Sequence, residues 1–176
     1  MNSKAKRITH SALFLALGMI IPQMFHLFGG TGPIFLPMHI PVLLAGFFLG
    51  GKYGAIIGFL TVLLSSTITG MPQVPILYFM LVEVTIYGLV AGLSYKKFKL
   101  NVYISLILAM IVGRIALAIS AYGLQPLLGI QLSPKLYILG ALTNGIPGII
   151  IQLVFIPIVV FSIERAGYKF DEPSAS

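Results

Sequence analysis

Long stretches of this chain carry no charge. No Asp, Glu, Lys or Arg occurs between Arg7 and Lys52, nor between Lys135 and Glu164. A soluble domain draws roughly a quarter of its residues from these four types to make its surface. Here only 9% of 176 residues are charged and 58% are hydrophobic. Uncharged apolar runs of about 20 residues are what a hydrocarbon core of about 30 Å requires of a crossing helix. Lipid is therefore the expected solvent for most of the chain.

Open sheets cannot span lipid, and barrel strands show a ten-residue alternation that these runs lack. The expected fold is an all-α membrane protein, a bundle of six transmembrane helices near 8–28, 42–50, 53–69, 76–95, 102–122 and 136–163. The second helix is short unless the proline-bearing segment 34–41 enters the membrane with it. Residues 1–170 form one domain on this reading, followed by a polar, disordered tail at 171–176. Lys4, Lys6 and Arg7 before an apolar run resemble a signal peptide, but no small-residue cleavage site follows, so the run is kept as the first span.

Orientation comes from the basic residues. Lys4, Lys6, Arg7, Lys52, Lys96, Lys97, Lys99, Arg165 and Lys169 share one side, and only Lys135 lies on the other. The positive-inside rule then places both termini in the cytoplasm. The net charge of +7 belongs to these loops and gives no support to nucleic-acid binding. Without cysteine, disulfides, thiolate metal sites and thiol catalysis are excluded. No His-Glu-x-x-His, phosphate loop or Ser-His-Asp set is present, so no enzyme, metal or cofactor is expected.

Small residues recur four apart: Ala12 and Ala16, Gly46 and Gly50, Gly54 and Gly58, Gly88 and Gly92. Such pairs let helix backbones approach closely in lipid. The glycine pairs are expected to pack inside the bundle, whereas Ala12 and Ala16 suit docking to a separate membrane subunit.

An ionisable residue inside a span is costly and marks a candidate site. Glu83, Arg114 and Asn144 each lie about eight residues from the outer end of their spans, ~12 Å below the external surface at the helical rise. An acid, a base and an amide are thereby expected in one layer, with Tyr87, Gln125, Thr143 and Gln152 extending it. This arrangement reads either as a helix-locking ion pair or as a pocket in which the Arg114 fork grips a carboxylate or phosphate. Pro147, between Gly145 and Gly148, is expected to kink the last helix and free a carbonyl. His39, flanked by Pro37 and Pro41, either contacts a ligand or caps a helix. Phe28, Phe35, Met38, Met71 and Tyr78 stand near the outer mouth.

The run Ala12-Leu13-Phe14-Leu15-Ala16, the stretch Leu36-Pro37-Met38-His39-Ile40-Pro41-Val42-Leu43-Leu44 and the stretch Tyr53-Gly54-Ala55-Ile56-Ile57-Gly58-Phe59 resemble the substrate-binding S-components of bacterial energy-coupling factor (ECF) vitamin transporters. The resemblance covers nearly the whole chain. It implies a multi-pass protein of the bacterial plasma membrane that binds a small vitamin from outside. The alanine motif would dock on a transmembrane coupling subunit, and two ATPase subunits would energise the complex. Segments 29–35 and 70–75 would act as lids over Glu83, Arg114, Asn144, Tyr87, His39 and Gln152. The helix 2–3 stretch is most similar to the pantothenate branch. A pyridoxine-like vitamin, riboflavin or folate, or a non-transport assembly role, are the alternatives.

Overall fold

In a computed structural model the chain is described over residues 3–27, 29, 31–129 and 133–167, and these are helical with no strand among them. Phe28 and the expected tail at 171–176 lie outside the described residues. The helices are α1 (Ser3–Leu27), α2 (Gly32–Phe35), α3 (His39–Leu49), α4 (Gly51–Thr69), α5 (Ile76–Gly92), α6 (Val102–Leu128), α7 (Pro134–Asn144) and α8 (Ile146–Arg165). A π-helical turn, Leu93–Lys97, ends α5. Six segments are long and apolar enough to cross a membrane, namely Lys4–Phe25, Gly32–Leu49, Gly51–Thr69, Ile76–Lys97, Val102–Pro126 and Ile146–Arg165.

Three expected boundaries are corrected. The proline-bearing segment does join the second span: α2 and α3 together make the Gly32–Leu49 crossing. The fifth helix runs on to Leu128 with Pro126 inside it, so Arg114 sits near its middle rather than close to its outer end. The sixth span is two helices that meet at Gly145. Pro147 has no N–H to give the Thr143 carbonyl, which stops α7, and its fixed φ suits the first turn of α8.

Caps and corners follow local chemistry. The Asn101 side chain accepts from the Ile104 N–H at 2.8 Å to start α6. Gly50, at φ +90, turns α3 into α4 within one residue. Past α4, Ser65 and Ser66 donate to the Met71 and Pro72 carbonyls at 2.8 and 2.9 Å, pinning the turn that leads to α5.

Of the paired glycines, Gly46, Gly54, Gly58, Gly88 and Gly92 pack inside the bundle, whereas Gly50 faces open space and serves the turn instead. A Cβ on Gly54 would lie 2.4 Å from the Gly88 carbonyl oxygen, and one on Gly88 would lie 2.2 Å from that of Gly54. A Cβ on Gly46 would meet the Gly88 oxygen at 2.6 Å, and one on Gly92 the Gly51 nitrogen at 2.1 Å. Helices α3, α4 and α5 thus touch backbone to backbone, which is how close packing replaces the missing hydrophobic force in lipid. α3 is the innermost: two-thirds (67%) of the Gly32–Leu49 segment is buried, against 17% of α1. α1 turns Phe14 and Gly18 inward and leaves Ala12, Ala16, Ile20 and Met24 exposed.

Gly88→Ala should therefore push a methyl into the α4 backbone. The expected cost is about 1–3 kcal/mol from overpacking, read as a lower melting temperature of the detergent-solubilised protein.

Candidate functional site

The polar residues of α3, α5 and α6 meet at one depth. Glu83 is the eighth residue of α5, which puts it about 11 Å along the helix from Ile76. Its Oε1 lies 2.9 Å from Nη1 of Arg114 on α6 and 3.8 Å from Nε2 of His39 at the start of α3. The His39 ring stands edge-on to Tyr87, one turn beyond Glu83, with centroids 4.8 Å apart. Glu83, His39 and Tyr87 are each at most 3% exposed. A charge so deep in lipid must be paired, because desolvation of either ion alone costs several kcal/mol.

The pairing leaves much of the cluster's bonding capacity unused. Glu83 Oε1 meets Arg114 as an ion pair without an aligned hydrogen bond, and Nε and Nη2 of Arg114 have no partner. Both ring nitrogens of His39 are also buried without a hydrogen-bond partner, and the Tyr87 hydroxyl stands near Arg114 without an aligned bond; on α8, outside these contacts, both amide atoms of Gln152 are unpartnered too. Gln152 is fully buried on α8, one turn from Gly148 and one from Ile156. Each buried orphan of this kind costs about 1–3 kcal/mol. Such a concentration of unpaired polar atoms singles this layer out as the candidate site.

Two covers close the end of the bundle away from Lys52 and Lys96. α2 is one of them. Thr31 donates to the Phe25 carbonyl at 3.3 Å, and the Phe25 and Phe35 rings lie 5.3 Å apart. A Cβ on Gly148 would sit 2.7 Å from the Phe35 carbonyl, so α2 rests directly on the backbone of α8. Leu36 then turns the chain in the left-handed conformation (φ +50), costing about 1–2 kcal/mol, and delivers His39 to the cluster.

The α7–α8 junction is the other cover. A Cβ on Gly145 would meet Arg114 Nη2 at 3.0 Å and Leu36 Cδ1 at 3.2 Å. The inner face of α7, Tyr137, Ile138 and Ala141, packs on Phe79, Leu117 and Ala121, and the Tyr137 ring lies 5.2 Å from that of Phe79.

The structure thus brings Glu83, Arg114, His39 and Tyr87 together. Asn144 does not join them through any contact: its side chain is exposed and runs back along α7 towards Gly140. Thr143 is exposed too, and donates to the Leu139 carbonyl of its own helix. Gln125 is buried, three turns above Arg114 on the same face of α6. Tyr137 and Phe79 had escaped notice in the sequence. Tyr137 reaches the layer through its ring contact with Phe79, and its only sequence signal is the i, i+4, i+8 series Tyr137, Ala141, Gly145. Among the described residues no three His, Cys, Asp or Glu side chains gather as a metal site would need.

The family model described as "ECF transporter, substrate-specific component" matches residues 6–160. The chain belongs to that family. No curated protein and no solved structure matches it. As an S-component it is a multi-pass membrane protein that provides substrate specificity to an ECF transporter, so it serves a small-molecule substrate and works with an ECF module.

If Glu83 and Arg114 stabilise each other as described, Arg114→Met alone should cost about 3–5 kcal/mol by stranding a buried carboxylate. Combining it with Glu83→Gln should recover much of that loss, a coupling readable from thermal melts of the two single variants and the double variant.

Proposed function

We propose that this S-component captures pantothenate from outside the cell, and that a transmembrane coupling subunit with two ATPases drives its delivery inward. The observation that carries the reading is the unpartnered Nε–Nη2 edge of Arg114, buried beside a residue with no side chain, Gly145. That edge is a planar two-donor fork matched to a carboxylate. The glutamate faces only Nη1, so the other donors of the guanidinium remain open to a carboxylate. Gln152 offers a buried donor and acceptor for the amide or hydroxyls of the ligand. The basic loops orient the covered end outward by the positive-inside rule.

Docking is read from α1. Ala12 and Ala16 are exposed, and Ile8, Ile20 and Met24 continue the same stripe at four-residue spacing. Small residues there let a partner helix approach the α1 backbone. The balanced Glu83–Arg114 pair also fits a neutral, pyridoxine-like vitamin, for which the Phe79 and Tyr137 rings would supply stacking.

Calorimetry with a panel of B vitamins on solubilised protein, without ATP, decides between these. Pantothenate should bind tightly, and Arg114→Lys, which keeps the charge and loses the fork, should weaken it at least tenfold. A panel with no binder would sink the vitamin reading.

Docking and capture should separate. Ala12→Leu with Ala16→Leu is expected to abolish vitamin uptake by cells while leaving the Kd of the purified S-component within about twofold, because neither residue is near the cluster.

A further inference from the structure

We propose that the site binds its anionic vitamin together with one proton, which the His39–Glu83 pair holds. The inference rests on the anionic reading of the ligand given above and adds a second, ionic partner to it.

The argument is one of charge. The cluster by itself holds one acid and one strong base, Glu83 and Arg114, and their charges cancel across 2.9 Å. A carboxylate arriving at the free edge of Arg114 brings a second negative charge into a volume where Glu83 is 3% exposed and His39 1%. An uncompensated charge in such surroundings costs several kcal/mol. Two anions would then share a single cation.

His39 supplies the remedy. Its Nε2 lies 3.8 Å from Oε1 of Glu83, the same oxygen that faces Arg114, and neither of its ring nitrogens has a hydrogen-bond partner. Once protonated, the imidazolium takes over Glu83, and the whole guanidinium is freed for the ligand. Two matched pairs result, His39 with Glu83 and Arg114 with the carboxylate, and the net charge of the site returns to zero. The proton comes from solvent, and no bond other than N–H is made or broken. A short turn of the Glu83 carboxylate from α6 towards α3 is the only movement the exchange needs.

The other groups facing His39 do not compete for this role. From α5 it meets Glu83 and the Tyr87 ring, and from α6 the cluster brings Arg114. α7 contributes Tyr137, which also senses the pair. Helix α2 has no titratable residue, α4 has only Lys52 and Tyr53, and α8 only Glu164 and Arg165, all four at the opposite end. Among the described side chains of α1, Lys4, Lys6, Arg7 and His10 stand at that same opposite end.

The experiment is calorimetric titration of pantothenate into the solubilised wild-type protein at pH 7.5, in phosphate and in Tris, whose ionisation enthalpies differ. The expected result is close to one proton taken up per vitamin bound, and a Kd that rises tenfold per pH unit above neutral. In His39→Gln and in Glu83→Gln the uptake should disappear and the Kd should become flat with pH. Equal heats in the two buffers, with wild-type binding intact, would overturn the proton site while leaving the vitamin reading in place. Preferential binding of a neutral vitamin without uptake overturns it as well, and absence of pantothenate binding overturns both. The wild-type measurement decides even if a variant fails to fold.

Discussion

Two opposite charges set at one depth in a hydrocarbon medium have little choice but to meet, and most of this bundle is arranged so that they can. Glu83 and Arg114 sit on neighbouring antiparallel helices, and their contact fixes the rotation of α5 against α6. That rotation turns Phe79 and Tyr87 inward along with the carboxylate. It also presents the outer face of α6, with Ile111, Ile115 and Ile119, to lipid. The pair is therefore both a structural pin and the electrostatic floor of the candidate site. These roles do not conflict, because Arg114 engages the acid through one nitrogen and leaves its other donors free.

The glycine seam sets the other coordinate, distance. Where Gly46, Gly54, Gly88 and Gly92 bring α3, α4 and α5 to backbone contact, side chains outside the seam have to spread around it. The first turn of α3 is thereby held against α5, which places His39 beside Glu83 and Tyr87. α1 remains at the edge of these helices, with Ala12 and Ala16 exposed.

Much of this was legible in the chain itself. The six crossings followed from uncharged runs, and the meeting of Glu83 with Arg114 from counting residues along antiparallel helices. The glycine seam followed from spacing alone. What counting could not supply was the path of the chain where helices break. Asn144 was placed by assuming one continuous helix, whereas Pro147 divides it and leaves the asparagine on the exposed side of α7. Tyr137 was overlooked for the same reason, since its approach to Arg114 depends on α7 folding back over α6. His39 stood out only by composition, and its partnership with Glu83 depends on the left-handed turn at Leu36, a conformation that leucine does not advertise.

One helix links the two ends of the molecule. α8 bears the α2 cover on Gly148 and, sixteen residues later, carries Glu164 into a hydrogen bond donated by the Tyr95 hydroxyl. Gln152 and Pro157 lie between those contacts. A tilt of α8 where Tyr95 meets it would be carried over ~24 Å to the Gly148 seat of α2.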